Sequence, residues 1–152
     1  MEGGESCNGR RYNTVDIKKM FNSVHLEIEE QHCHRYLWRD LETNTTPDIY
    51  VMTKVNMGDR PAGQISTEAV YKTAELFEAE SPNAAKLLRE STYVDDIIDS
   101  RADISETEVL SREAESMLLK GGFHIKFWQY SGDKLPGEDS EMTTAVLGVG
   151  WR

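Results

Sequence analysis

The sequence lacks the features that mark secreted, disulfide-rich or membrane-spanning proteins. It contains two cysteines, Cys7 and Cys33, without framework spacing, so reduced thiols in an intracellular protein are expected. No run approaches the roughly 18 apolar residues of a membrane-spanning helix, and the N-terminus has no signal-peptide core. We therefore expect a protein of the cytoplasm or nucleus without a membrane partner.

Basic charge is also scarce. The 152 residues carry 17 Lys and Arg against 27 Asp and Glu, which gives a net charge of −10 and a pI near 4.8. A nucleic-acid-binding domain normally shows a basic surface, so this chain alone is expected to bind a template weakly. The length permits one domain with a sizeable core.

The residue pattern predicts an α+β fold after a flexible tail over residues 1–11. The expected elements are strands at His34–Asp40 and Asp48–Val55, a helix at Gly63–Glu80, a helix from Ser81-Pro82, a helix from the capping box Ser105–Glu108 to Gly121-Gly122, and strands at Phe123–Tyr130 and Ala145–Trp151. The inward side chains expected on the third helix are Val109, Leu110, Ala114, Met117 and Leu118. Trp38, Trp128 and Trp151 are expected in the core or at a subunit interface.

The segment Ser91–Asp99 places two adjacent carboxylates, Asp95 and Asp96, between apolar, β-prone flanks. Such flanks predict a hairpin with the acids at or beside its turn. Carboxylate oxygens are the ligands that Mg²⁺ prefers, and a second acidic strand alongside would complete a two-metal site for phosphoryl or nucleotidyl transfer. An ordinary solvated turn is the alternative interpretation of the doublet.

Asp16 is the candidate for that second strand. It ends a short β-like run from Tyr12 to Val15 and precedes a compact segment containing Met20 and Phe21. An acid at the end of a strand beside a turn is a common position for a catalytic group. Taken alone, an Asp before a helical turn is more often the N-cap of that turn.

These segments together resemble the polymerase core of reverse transcriptases, most closely the BEL/Pao class of LTR retrotransposons. The matching segments occur in the family's order at 15–21 (VDIKKMF), 34–39 (HRYLWR), 57–63 (MGDRPAG), 93–96 (YVDD), 121–126 (GGFHIK) and 146–151 (VLGVGW). The resemblance extends from about Tyr12 to Trp151. It implies a reverse-transcriptase-like palm, with an antiparallel sheet packed on two main helices, in a partial domain over residues 12–152 that ends at a primer-grip-like hairpin. Fingers and thumb are expected to be largely absent from this partial polyprotein fragment.

The resemblance also implies roles for individual residues. Asp16, Asp95 and Asp96 would be the catalytic carboxylates that hold Mg²⁺ or Mn²⁺. Backbone amides near Lys19 and Met20 could bind triphosphate oxygens.

Phe21 falls where the family has an aromatic steric gate, a ring that clashes with the 2′-hydroxyl of a ribonucleotide and so selects deoxynucleotides. The alternative is a phenylalanine that packs in the core. Lys126 falls where the family often has a lysine near the pyrophosphate, and a solvated lysine at a sheet edge is as well supported. The encoded function is therefore expected to be RNA-directed DNA polymerase acting on a template-primer and deoxynucleoside triphosphates. The alternative is a catalytically inactive palm remnant or interaction module.

Overall fold

The central element of the fold is the strand Arg11–Lys18 (β1), in a computed structural model that describes residues 11–130, 144–146 and 149–151. Asn13, Val15 and Ile17 are buried, whereas Thr14 and Asp16 on the opposite face are half-buried. This period of two arises because successive side chains of a strand point to opposite faces.

The strand is longer than the sequence predicted at both ends. Arg11, assigned to the tail, already belongs to β1, and the rest of the predicted tail lies outside the described residues. Asp16 does not end the strand, because Ile17 is only 1% exposed and pairs with Ile125. Burial of Ile17 thus carries the strand past the acid as far as Lys18.

Four further strands pair with one another and with β1 in an antiparallel sheet. On one side, Asp96–Arg101 (β5) pairs with β1 and with Thr92–Tyr93 (β4). On the other side, β1 pairs with both His124–Ile125 (β6) and Gln129–Tyr130 (β7). The single strand predicted near residues 123–130 is therefore two short strands that share one partner.

Two single-turn helices follow β1, at Met20–Ser23 (α1) and Ile28–Gln31 (α2), and His32–His34 form a 3₁₀ turn. The larger helices are Ala62–Phe77 (α3), Pro82–Glu90 (α4) and Ile104–Lys120 (α5). The predicted start of α4 is confirmed, since Ser81 is its N-cap and Pro82 its first residue.

The core lies between one face of the sheet and the three larger helices. The sheet was expected to pack on two main helices. It packs on three, because α4 has a buried face of its own. The sheet contributes Val15, Ile17 and Ile97, and the helices contribute Val70, Ala74, Ala84, Ala85, Leu87, Leu88, Leu110, Ala114, Met117 and Leu118. An α+β fold with antiparallel sheets is confirmed.

Helix α5 departs from its predicted N-terminus and buried face. Asp103, rather than Ser105, is the N-cap, and its Oδ1 accepts a hydrogen bond from the Ser105 N–H at 3.0 Å. Val109 is 52% exposed, whereas Thr107 and Ser111 are buried in its place. A buried face at positions 107, 110, 111, 114, 117 and 118 satisfies the helical period better than one that includes Val109.

The predicted glycine end of α5 is confirmed. Gly122 has a φ of +82°, a conformation that glycine adopts without steric cost. The preceding Gly121 lies so close to α3 that an added Cβ would overlap the side chain of Thr73. These two glycines therefore end the helix and permit its contact with α3.

A buried polar pair connects the sheet to α5. The Asn13 Nδ2 donates to the Ser111 Oγ at 3.2 Å, and both side chains are almost fully buried. Burying an amide is unfavourable unless it is hydrogen-bonded, so this contact offsets part of the desolvation of Asn13.

Two smaller hairpins complete the described structure. Arg35–Trp38 (β2) and Asp48–Val51 (β3) pair antiparallel, as the sequence predicted, but Trp38 is 56% exposed and does not enter the core. Thr144–Val146 (β8) and Val149–Trp151 (β9) pair antiparallel, where the residue pattern predicted one strand over Ala145–Trp151 and the resemblance implied a terminal hairpin. Within the described ranges, no helix has the length and apolar character needed to cross a membrane.

Neighbouring leucines on α5 provide a test of this packing. Leu118 is fully buried and Leu119 is 56% exposed. Leu118→Ala is expected to lower the free energy of unfolding by about 2–5 kcal/mol, because it leaves a cavity in the core. Leu119→Ala should change it by about 0.5 kcal/mol or less. Urea unfolding followed by circular dichroism measures both, and equal losses would contradict the assignment of the buried face.

Candidate functional site

The pairing of β1 with β5 brings together the two acidic segments that the sequence singled out. Asp16 and Asp96 are directly opposed Cα partners, and Val15 and Ile97 are the adjacent pair. Val15 and Ile97 point into the core, so Asp16 and Asp96 project from the opposite face. Directly opposed side chains in an antiparallel pair have Cβ atoms about 4.5–5.5 Å apart, so the two carboxylates are neighbours.

Asp95 lies in the turn between β4 and β5, and its backbone is bound to the central strand. The Asp95 carbonyl accepts a hydrogen bond from the Ile17 N–H at 2.7 Å. The predicted hairpin with acids at its turn is therefore present, with Asp95 in the turn and Asp96 as the first residue of β5. All three predicted carboxylates lie in one region of the sheet.

The turn is strained at the residue before the acids. Val94 has a φ of +54°, in the left-handed region that β-branched residues rarely adopt. Such a conformation costs a non-glycine residue about 1–2 kcal/mol and persists only where the surroundings impose it. Sequence reasoning missed this feature, since valine's preference is for extended backbone and nothing in the residue pattern signals otherwise.

Lys126 is joined to Asp16 by both backbone and side chain. Its N–H donates to the Asp16 carbonyl at 3.0 Å, and its Nζ donates to Asp16 Oδ2 at 2.8 Å. The hydrogen bond to Asp16 and the charges of Asp16, Asp95 and Asp96 raise the pKa of the Lys126 ammonium. The predicted phosphate-binding lysine therefore lies in the field of all three acids.

The segment after β1 places the other predicted residues in different environments. Lys19 adopts a left-handed conformation, with φ 53° and ψ 40°, and turns the chain into α1. Met20 is 1% exposed and packs in the main core, so its side chain does not face a ligand. The predicted contacts of Lys19 and Met20 with triphosphate can therefore involve their backbone amides, and that contact stays a prediction.

Phe21 is half-buried beside a second, smaller core cluster of Leu26, Val55 and Ala62. This packing agrees with a structural role for the ring. It leaves part of the ring accessible, so the sugar gate stays a prediction and is compatible with the packing.

The chemistry of the carboxylates fits a hard divalent cation, whose preferred ligands are oxygen atoms. Their arrangement is less complete: across the described part of the chain, no three His, Cys, Asp or Glu side chains are grouped closely enough to hold a metal ion. One oxygen of Asp16 is bound by the Lys126 ammonium. Asp16, Asp95 and Asp96 thus supply suitable donors, and holding a cation would require their side chains to rearrange.

Comparison of the chain with protein-family models and with curated proteins gives no match.

The strain at Val94 can be tested against a second half-buried valine, Val51 in β3. Val94→Gly is expected to leave the free energy of unfolding unchanged or to raise it by up to about 1 kcal/mol, because glycine removes the left-handed penalty of about 1–2 kcal/mol. Val51→Gly should lower it by about 1 kcal/mol, since glycine weakens a strand. Similar losses in chemical denaturation of both variants would argue against strain at Val94.

Proposed function

We propose that this chain is the palm-like core of a reverse transcriptase of the BEL/Pao type, an RNA-directed DNA polymerase that extends a primer 3′-hydroxyl. The observation that carries the proposal is the register that sets Asp16 opposite Asp96 with Asp95 in the adjoining turn. Asp16 and Asp96, which are 80 positions apart in sequence, thereby face each other across two paired strands of one sheet. The ordered motifs over Tyr12–Trp151 support the same function.

Asp16, Asp95 and Asp96 would hold Mg²⁺ or Mn²⁺ in this function. Bound cations of this kind supply positive charge that favours ionisation of the primer hydroxyl and stabilises the triphosphate. The turn at Lys19 and Met20 would donate backbone N–H groups to triphosphate oxygens. Lys126 would contact the phosphates with its ammonium group, which its acidic neighbours keep protonated.

The proposed substrates are a template-primer duplex and deoxynucleoside triphosphates. The net charge of −10 opposes binding of a polyanion, so the acids need cations before a template can approach. Activity of this chain by itself is expected to be weak for that reason.

A second candidate function is that of a catalytically inactive palm that acts as an interaction module. The specific observation in its favour is the β2–β3 hairpin, which exposes Leu37, Trp38 and Ile49 from both of its faces. Exposed apolar clusters of this kind mark interaction surfaces. An inactive but folded chain would favour this function.

Primer extension on an RNA template with Mg²⁺ or Mn²⁺ tests the proposed activity. The wild-type chain is compared with the variant Asp95→Asn, Asp96→Asn, in which both side chains keep their size and lose their charge. Weak extension is expected in the wild type, and it should fall by about 10³-fold or more in the variant, because loss of charged groups at the site removes several kcal/mol of stabilisation.

A charge-matched control keeps this comparison specific. Glu29 and Glu30 are adjacent exposed acids on α2, and Glu29→Gln, Glu30→Gln removes the same two charges away from the site. This variant should extend the primer as the wild type does. Absence of extension by a folded wild-type chain would overturn the polymerase proposal and favour the interaction module.

Phe21→Val tests the sugar gate in the same assay. A smaller side chain should admit the 2′-hydroxyl, so ribonucleotide incorporation relative to deoxynucleotide should rise by about tenfold or more. Phe77, a partly buried phenylalanine that packs against the main core, supplies the control Phe77→Val. If Phe21→Val leaves sugar selectivity unchanged, the ring is a packing residue only.

A further inference from the structure

The contact between Lys126 and Asp16 gives the acidic site a positive charge of its own. The Lys126 Nζ lies 2.8 Å from Asp16 Oδ2, and the same residue's N–H is bound to the Asp16 carbonyl. The two residues are 110 positions apart in sequence. They meet because β6 pairs with β1 and Lys126 directly follows β6. An ammonium group therefore lies on a carboxylate to which the proposed function assigns a divalent cation.

An ammonium and a divalent cation compete for this carboxylate. Both bind carboxylate oxygen atoms, and both are positively charged, so each weakens the binding of the other. The fields of Asp95 and Asp96 also act on Lys126, which means that the ammonium partly balances all three acids. A divalent cation that binds the Asp16 carboxylate must therefore either displace the Lys126 ammonium or bind next to its positive charge.

The exposure of the pair makes such displacement feasible. The Asp16 and Lys126 side chains are 32% and 54% exposed. Exposed ion pairs contribute little stability, because water solvates both charges and salt screens them. The released ammonium would stay near the site, since the backbone bond between Lys126 N–H and the Asp16 carbonyl does not depend on the side chain.

We propose that Lys126 is a resident counterion of Asp16 that a divalent metal ion displaces, which frees its ammonium group for the phosphates of an incoming nucleotide. This inference rests on the proposed function. It makes Lys126 a residue with two successive anionic partners, first the carboxylate of Asp16 and then phosphate oxygens.

Mn²⁺ titration followed by electron paramagnetic resonance of the free ion tests the displacement without an activity assay. The full chain is compared with Lys126→Met, which keeps the length of the side chain and the backbone hydrogen bond while it removes the charge. Mn²⁺ should bind the variant about three- to fivefold more tightly, which matches the upper range of an exposed ion pair. Adding Asp16→Asn to Lys126→Met should abolish the gain.

Lys72→Met is the matched control for net charge. Lys72 forms an exposed ion pair with Glu75 on α3, also at 2.8 Å, and its loss removes the same unit of charge away from the acids. This variant should bind Mn²⁺ as the wild type does. A gain equal to that of Lys126→Met would show a general charge effect and overturn the proposal.

Thermal unfolding provides a second readout, in which the loss of the Lys126 charge and the binding of Mn²⁺ shift the melting temperature in opposite directions. Without metal, Lys126→Met should melt below the wild type, because three carboxylates lose their nearby cation. With saturating Mn²⁺ the variant should gain more in melting temperature than the wild type gains, since tighter binding to the native state stabilises it more. Equal gains in the two proteins would overturn the displacement.

The outcomes separate this inference from the function on which it rests. Equal Mn²⁺ affinity in wild type and Lys126→Met, lost in both with Asp16→Asn, would leave the metal site in place and overturn the displacement. Failure of both folded proteins to bind Mn²⁺ would overturn the displacement together with the metal site.

Discussion

The antiparallel pairing of β1 with β5 is the interaction on which the rest of the structure depends. The register that sets Val15 beside Ile97 in the core also sets Asp16 beside Asp96 on the opposite face. A slip of one residue would turn Asp16 into the apolar core and Val15 outward, because the side-chain period of a strand is two. Hydrophobic burial on one face therefore specifies the positions of the carboxylates on the other.

The acidic region combines like charge with a strained turn, and contacts around it offset both. The hydrogen bond from the Ile17 N–H to the Asp95 carbonyl holds the turn against β1, and Val94 keeps a left-handed backbone there. Lys126, the residue that follows β6, supplies the opposite charge from the other side of β1. The acidic turn therefore contacts β1 from the side of β5, and the counter-charge lies on the side of β6.

Some elements of the fold were predicted from the sequence more accurately than others, and the reasons are physical. The β2–β3 and β4–β5 hairpins and helices α3 and α4 were predicted, since alternation, helical period and the Ser81-Pro82 pair are local signals. The face of α5 was partly wrong, because Thr107 and Ser111 replace Val109 in the core. The partner that makes Ser111 acceptable there is Asn13, 98 residues away, and a local pattern carries no information about it.

The sequence by itself determined the α+β class, the acidic doublet at a hairpin turn and a strand that reaches Asp16. These follow from local preferences, which act over a few residues. Only the tertiary structure decided that Asp16 faces Asp96, that Asp95 is bound to Ile17 through the backbone, and that Lys126 is paired with Asp16. Those contacts join segments far apart in the chain, and the strand register that creates them is selected by the packing of the whole core.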